Sequence, residues 1–245
     1  MDNDTLLQAL SRNPGFAALD IDYRREIVQV GRVRQLPAGG CVFRQDEAVD
    51  GVYCLLQGQV HAVKNLADGR EQLIVYRVRS GWFGEVSALD LNPRSFTMRA
   101  STDLEYFHIP QPAFEALLGN DLGRARFFIS ELCHRTRVSY EYGSDALALD
   151  AAQRLAKVLQ IQYDNVRLAN PEVSCPGLSC SQEDLACMVG VSRQRINRIL
   201  KSWQAEGCIE LSRSHIRLTD VAALQRLSNG VIEGAPQGLT PGDGH

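Results

Sequence analysis

With 245 residues, 44% of them hydrophobic and 22% charged, the chain has the composition of a globular protein and length for one large or two ordinary domains. A net charge of −3 excludes a bulk polycation, so any surface for nucleic acid has to be local. No run approaches the roughly 20 apolar residues of a membrane helix, and membrane partners are not expected.

MDNDTLLQAL carries no basic stretch ahead of an apolar run, so no secretion signal is apparent and the expected compartment is the cytoplasm. Seven cysteines, an odd number in a reducing compartment, argue against a disulfide framework. Cys175 and Cys180 are candidates to open a metal or redox site, but core thiols are the default reading and no metal is expected.

Across residues 1–30, Leu6, Leu7 and Leu10, then Leu19, Ile27 and Val28, recur at helical spacing, with Pro14-Gly15 as a break. From Val33 to Ile109 the pattern changes to short β-rich runs: Cys41–Arg44, Gly51–Leu56, Gln59–Lys64, Gln72–Arg77, Thr97–Ala100 and Leu104–Ile109. Turn signals every 8–12 residues or so predict an antiparallel sandwich or barrel.

Gly81–Arg99 (GWFGEVSALDLNPRSFTMR) interrupts this region as a long loop. Its glycines let the backbone turn and bring amides close to a ligand. Glu85 can accept from a sugar hydroxyl. Pro93 stiffens the approach to Arg94-Ser95, a guanidinium fork and a hydroxyl suited to a phosphate bound bidentately. A surface turn closed by an internal Glu85–Arg94 pair is the competing reading.

After Pro112 the period is helical for about eight turns. Leu118, Leu122, Ala125, Ile129, Leu132, Thr136, Ser139 and Gly143 alternate at spacings of four and three, the seam of a two-stranded coiled coil and hence of a homodimer. Polar Thr136 and Ser139 enter that seam near its end, where something polar is expected. A second helix is predicted over Asp145–Tyr163, an exposed loop over Leu168–Leu178, and a tail with little to bury over Asn229–His245.

Ser181-Gln-Glu-Asp184 is a near capping box that opens a helix through Val189, and Gly190-Val191 makes a turn. Ser192 caps a second helix that turns Ile196, Ile199, Leu200 and Trp203 inward and Arg193, Gln194, Asn197, Arg198 and Lys201 outward. That is a helix-turn-helix. Arginine suits guanine edges, and Gln and Asn suit adenine. Cys208–Leu211 and His215–Leu218 read as a hairpin whose tip, with Arg213, can touch phosphate. Five scattered histidines form no ligand or triad spacing, so an enzyme is not expected.

The β-roll, the Gly84-Glu85…Arg94-Ser95 loop, the long helix and the winged helix-turn-helix together resemble the CRP/FNR family of bacterial transcription regulators. The resemblance implies an α+β fold divided as a β-roll domain with N-terminal helices (1–111), a dimerisation helix (112–143), a winged helix-turn-helix domain (144–228) and a tail (229–245). It implies a DNA-binding regulator under allosteric control by cyclic AMP or cyclic GMP, with cyclic di-GMP, haem, redox or no ligand as alternatives.

The implied ligand residues are Phe83, Gly84, Glu85, Val86, Ser87, Arg94, Ser95, Arg135, Ser139 and Tyr140. The implied DNA residues are Ser181, Ser192, Arg193, Gln194, Asn197, Arg198, Lys201 and Arg213. Implied partners are a palindromic duplex, a second copy of the chain and, through the 168–178 loop, RNA polymerase. Phe96 stands where the family has a small residue, and Gln194 where it has Glu, so neither the nucleotide nor the usual half-site follows from the likeness.

Overall fold

The computed structural model describes residues 1–67, 69, 71–78, 81–119, 121–169, 177–178, 180–212 and 215–228, without the side chains of 74–78, 165, 168 and 169. It divides into two compact units, Met1–Ser144 and the chain from Asp145 onward.

The first unit opens with helices α1 (Asn3–Leu10), α2 (Pro14–Ala17) and α3 (Ile21–Val30). Pro14 starts α2 rather than only breaking a helix, because Asn13 caps it and accepts from the Phe16 amide. Eight strands follow: β1 (Arg32–Leu36), β2 (Cys41–Phe43), β3 (Gly51–Gln57), β4 (Gln59–Asn65), β5 (Glu71–Val78), β6 (Trp82–Phe83), β7 (Thr97–Ala100) and β8 (Leu104–Pro110). They form two four-stranded sheets, β1-β8-β3-β6 and β2-β7-β4-β5. All the described pairings are antiparallel, as the turn spacing predicts.

The apolar run of β3 divides between two cores. Tyr53 and Leu55 face the opposite sheet, with Phe43, Val60, Phe83, Met98 and Tyr106. Val52, Cys54 and Leu56 face the helices, with Phe16, Ile27, Trp82, Phe107 and Ile109. A strand covered on both faces loses the polar alternation of a half-exposed one, and its period-2 geometry sends alternate side chains to each core.

The predicted loop 81–99 is more ordered than its sequence suggests. It contains β6, which pairs with β3, and helix α4 (Glu85–Asp90). The helical stretch after Pro112 is two helices, α5 (Gln111–Leu118) and α6 (Leu122–Ala148), because Gly119 adopts φ 50° and stops α5. Phe127 and Phe128 anchor α6, meeting Trp82 edge-on at 5.6 and 5.5 Å. Leu122 is 66% exposed and Ile129, Ser139 and Tyr140 are also exposed, so much of the heptad seam lies uncovered. Helix α6 extends to Ala148, so the second helix, α7 (Ala151–Ala169), begins later than the periodicity indicates.

The second unit adds β9 (Gly177–Leu178), α8 (Gln182–Val189), α9 (Arg193–Ala205), β10 (Ile209–Leu211), β11 (Ile216–Leu218) and α10 (Val221–Ser228). Strand β9 joins the predicted hairpin as a third strand, and neither it nor α10 was apparent in the sequence pattern. The 170–176 segment with Cys175, Arg213 at the hairpin tip and the 229–245 tail lie outside the described residues. Among the described residues, no helix is long and apolar enough to cross a membrane.

Candidate functional site

Strand β6 delivers the chain into the core, and Gly84 turns it at φ 84°. A Cβ there would lie 2.9 Å from Arg94 Nη1 and 3.0 Å from Tyr53, so both conformation and space require glycine. Glu85 starts α4 and is 1% exposed. Arg135 on α6 brings Nη2 to 2.5 Å from Glu85 Oε1 and donates Nη1 to the Trp82 carbonyl at 2.9 Å. That contact is an ion pair, and neither Glu85 oxygen has a hydrogen-bond donor among the described residues.

Arg94 is also 1% exposed. Its Nη2 donates to Asp50 Oδ1 at 2.7 Å and to the Gly51 carbonyl at 2.6 Å, and its Nη1 to the Gly84 carbonyl at 2.8 Å. The guanidinium carbon lies 4.4 Å from the centre of the Phe43 ring. Its Nε is buried without a hydrogen-bond partner among the described residues.

Two expectations change. Glu85 and Arg94 do not pair with each other, since each has its own partner. The bidentate phosphate grip is also unavailable in this arrangement, because Nη2 belongs to both guanidinium forks and both its hydrogens are committed.

The rest of the predicted set is divided. Phe83 is a core residue stacked on Tyr53 at 5.2 Å, so only its backbone borders the site. Ser87 is buried and donates to the Pro93 carbonyl, tying the end of the loop to α4. Val86 and Ser95 are exposed. Ser139 donates back to the Arg135 carbonyl within α6, and Tyr140 is solvent-exposed. The structure gathers Gly84, Glu85, Arg94 and Arg135, while Ser139 and Tyr140 sit about one turn further along α6.

Three site residues went unseen in the sequence: Asp50, Tyr53 and His108. The Tyr53 hydroxyl donates to Asp50 at 2.5 and 2.6 Å. His108 stacks on the Tyr53 ring at 4.7 Å, with Nε2 3.2 Å from the Asp50 carbonyl. Burial alone would raise the Asp50 carboxyl. The Tyr53 and Arg94 hydrogen bonds outweigh it and hold Asp50 below the usual carboxylate range. Burial lowers His108 below its ordinary value despite the neighbouring Asp50.

In the second unit, Ser181 and Asp184 complete the capping box in both directions, and Gly190 ends α8 at φ 72°. Ser192 caps α9, whose Ile196, Leu200 and Trp203 are buried. Arg193, Gln194, Arg198 and Lys201 are exposed on α9. Asn197 is half-buried, less outward-facing than its spacing suggests. Arg217 pairs with Glu210 across β10 and β11, which removes it from the free basic patch. Burial pushes the Cys180 thiol up to about 11, the environment of an inert core thiol.

Comparison with known proteins matches residues 33–121 to a cyclic nucleotide-binding domain and residues 153–227 to a Crp-like helix-turn-helix domain. The chain belongs to the CRP/FNR family of transcription regulators. It is a CRP-like DNA-binding regulator with a cyclic nucleotide-binding domain. A CRP-like cAMP-activated global transcriptional regulator of Mycobacterium tuberculosis is 26% identical over 193 residues, 78% of this chain and 85% of that one. FixK2 from Bradyrhizobium japonicum superposes at a TM-score of 0.70 and 21% identity, covering 84% of this chain and 100% of that one. The c-di-GMP responsive global regulator CLP of Xanthomonas campestris superposes at 0.67 and 22% identity, covering 81% and 99%. These two structural likenesses show the fold.

In this CRP-like chain the Asp50–Tyr53–His108 group predicts acid sensitivity. A buried histidine with a lowered pKa contributes stability that is complete above the unfolded value of about 6.5 and is lost as the pH falls through the folded value. Asp50 acts in the same direction further down, its contribution complete above about pH 4 and lost as the pH falls through its depressed value. The thermal midpoint of the first unit is expected to drop between pH 7 and 5 more in the wild type than in His108→Gln. Equal drops would refute the buried neutral imidazole.

Proposed function

We propose that the chain is a homodimeric transcription regulator whose DNA binding is controlled by a 3′,5′-cyclic nucleotide, cyclic AMP or cyclic GMP. The observation that carries this reading is a group of buried polar atoms beside α4 that have no hydrogen-bond partner among the described residues, which includes both Glu85 oxygens and Arg94 Nε along with Arg135 Nε and Nη2. A cyclic nucleotide supplies the complement: a ribose hydroxyl to donate to Glu85 and a phosphate oxygen to accept from Arg94.

Arg135, already against Glu85, would border the sugar, and the Ser95 hydroxyl would add a phosphate contact. Ser139 and Tyr140 would meet the base on α6. The cAMP-activated Mycobacterium tuberculosis relative supports the same ligand class.

The uncovered heptad face of α6 supports pairing with a second copy. Two copies of α9 could then enter successive major grooves about 34 Å apart, with Arg193, Gln194 and Arg198 at base edges and Lys201 at phosphate. A nucleotide that contacts α6 in only one arrangement would bias that spacing.

Titration calorimetry of the full chain with cyclic AMP, cyclic GMP and cyclic di-GMP tests the reading. Micromolar or tighter binding of a 3′,5′-cyclic mononucleotide is expected, strongly weakened in Glu85→Gln. Heat only from cyclic di-GMP, or from none of the three, would reject it.

A further inference from the structure

We propose that Asp50 is a specificity-determining residue of the ligand site, restricting it to singly charged phosphodiesters and discriminating against dianionic phosphate monoesters. This rests on the cyclic-nucleotide reading above and adds to it the charge class of ligand that the site accepts.

Among the described residues two arginines meet at the site, and each is matched by a carboxylate. Arg94 is bonded to Asp50 at 2.7 Å, and Arg135 lies 2.5 Å from Glu85. The site therefore offers donors without a surplus of positive charge. Receptors for dianionic phosphates typically gather unpaired guanidinium and ammonium groups.

The donors left on Arg94 point the same way. Nη2 has spent one hydrogen on Asp50 and the other on the Gly51 carbonyl, and Nη1 has spent one on Gly84. Nε and the second Nη1 hydrogen remain, on different edges of the guanidinium. A phosphate is thus met by single hydrogen bonds, sufficient for a diester with one charge. A terminal monoester asks for a fork and more positive charge, and this site withholds both.

Asp50 is suited to stay ionised while doing this. Its side chain is 53% exposed, so its charge remains hydrated, and the Tyr53 hydroxyl fixes the carboxylate in place. His108 holds the Asp50 main chain through its carbonyl. The carboxylate is anchored from both sides and cannot swing away to relieve repulsion with an incoming phosphate. Coulomb repulsion from one unit charge several ångströms away, at the effective dielectric of a protein surface, changes affinity by about tenfold or more per added ligand charge.

The test compares cyclic AMP with 5′-AMP, and cyclic GMP with 5′-GMP, by calorimetry near pH 7.5, where the monoesters are dianions. Asp50→Asn keeps an acceptor for Arg94 and Tyr53 but removes the charge, and is expected to narrow the preference for the cyclic form by about tenfold or more. Asp50→Ser is the second uncharged variant and should shift the ratio the same way. Tyr53→Phe keeps the charge and loses one anchor of the carboxylate, so it should weaken both ligands and narrow the ratio by clearly less than either Asp50 variant.

An unchanged ratio in both Asp50 variants, even with weaker binding overall, would reduce Asp50 to a support for Arg94 and overturn the proposal alone. Equal narrowing by Tyr53→Phe would overturn it as well. Failure of the wild type to bind either cyclic nucleotide would overturn the preceding reading and this one with it.

Discussion

Arg94→Ala is expected to weaken cyclic-nucleotide binding by at least about a hundredfold and to destabilise the first unit by about 2–3 kcal/mol. Both effects follow from the same atoms. The guanidinium is nearly inaccessible and bonds Asp50, Gly51 and Gly84, which brings β3, β6 and the start of α4 to one point. Removing it leaves two carbonyls without that donor and a cavity against Phe43. Breaking a fully buried ion pair costs about 3–5 kcal/mol, and the lower figure here reflects the exposed half of Asp50, which water can solvate.

Arg94→Lys separates the two roles, because it retains the charge but cannot reach three acceptors from one plane. It should recover part of the stability measured by urea denaturation and little of the binding measured by calorimetry. An Arg94→Ala protein as stable as the wild type would contradict the packing described. One that binds cyclic AMP normally would remove Arg94 from the ligand site.

The sequence made Glu85 and Arg94 conspicuous because they sit nine residues apart between glycines and a proline. It could not show their partners, since Asp50 lies 44 positions before Arg94 and Arg135 lies 50 positions after Glu85. Local spacing reports which groups are offered, while tertiary packing decides what they touch. For the same reason a bidentate fork was expected where one nitrogen is already spent.

The strands read well wherever turns bounded them. Strand β6 was missed because two residues carry no period, and β1 because RVRQL has few apolar positions. The heptad pattern on α6 was visible, but Phe127 and Phe128, which fall outside the seam, anchor it to the β-roll. The helix-turn-helix was the clearest segment. Both its caps, its left-handed glycine and its buried face are local features, so they could be read without knowing what packs against them.

That local completeness is the basis of the second large effect. Trp203→Ala is expected to cost the second unit about 3–5 kcal/mol, because a buried indole on α9 packs in one cluster with Ile196, Leu200, Leu155 and Ile209. The penalty should appear as an early unfolding transition, with cyclic-nucleotide binding by the first unit retained. DNA binding should be lost with it, since α9 can present Arg193, Gln194 and Arg198 together only while its inner face is held.

Arg198→Ala provides the contrast. Its side chain is exposed, so stability should change little. Affinity for a duplex selected from a randomised pool with the wild-type protein should fall by about 1–3 kcal/mol if the guanidinium reads a base edge. A loss of the same size on every duplex, together with a salt dependence reduced by about one ion, would instead mark Arg198 as a phosphate contact. Wild-type DNA affinity in Trp203→Ala would mean that the reading surface does not depend on the packing of α9, and the proposed interface would have to lie elsewhere on the chain.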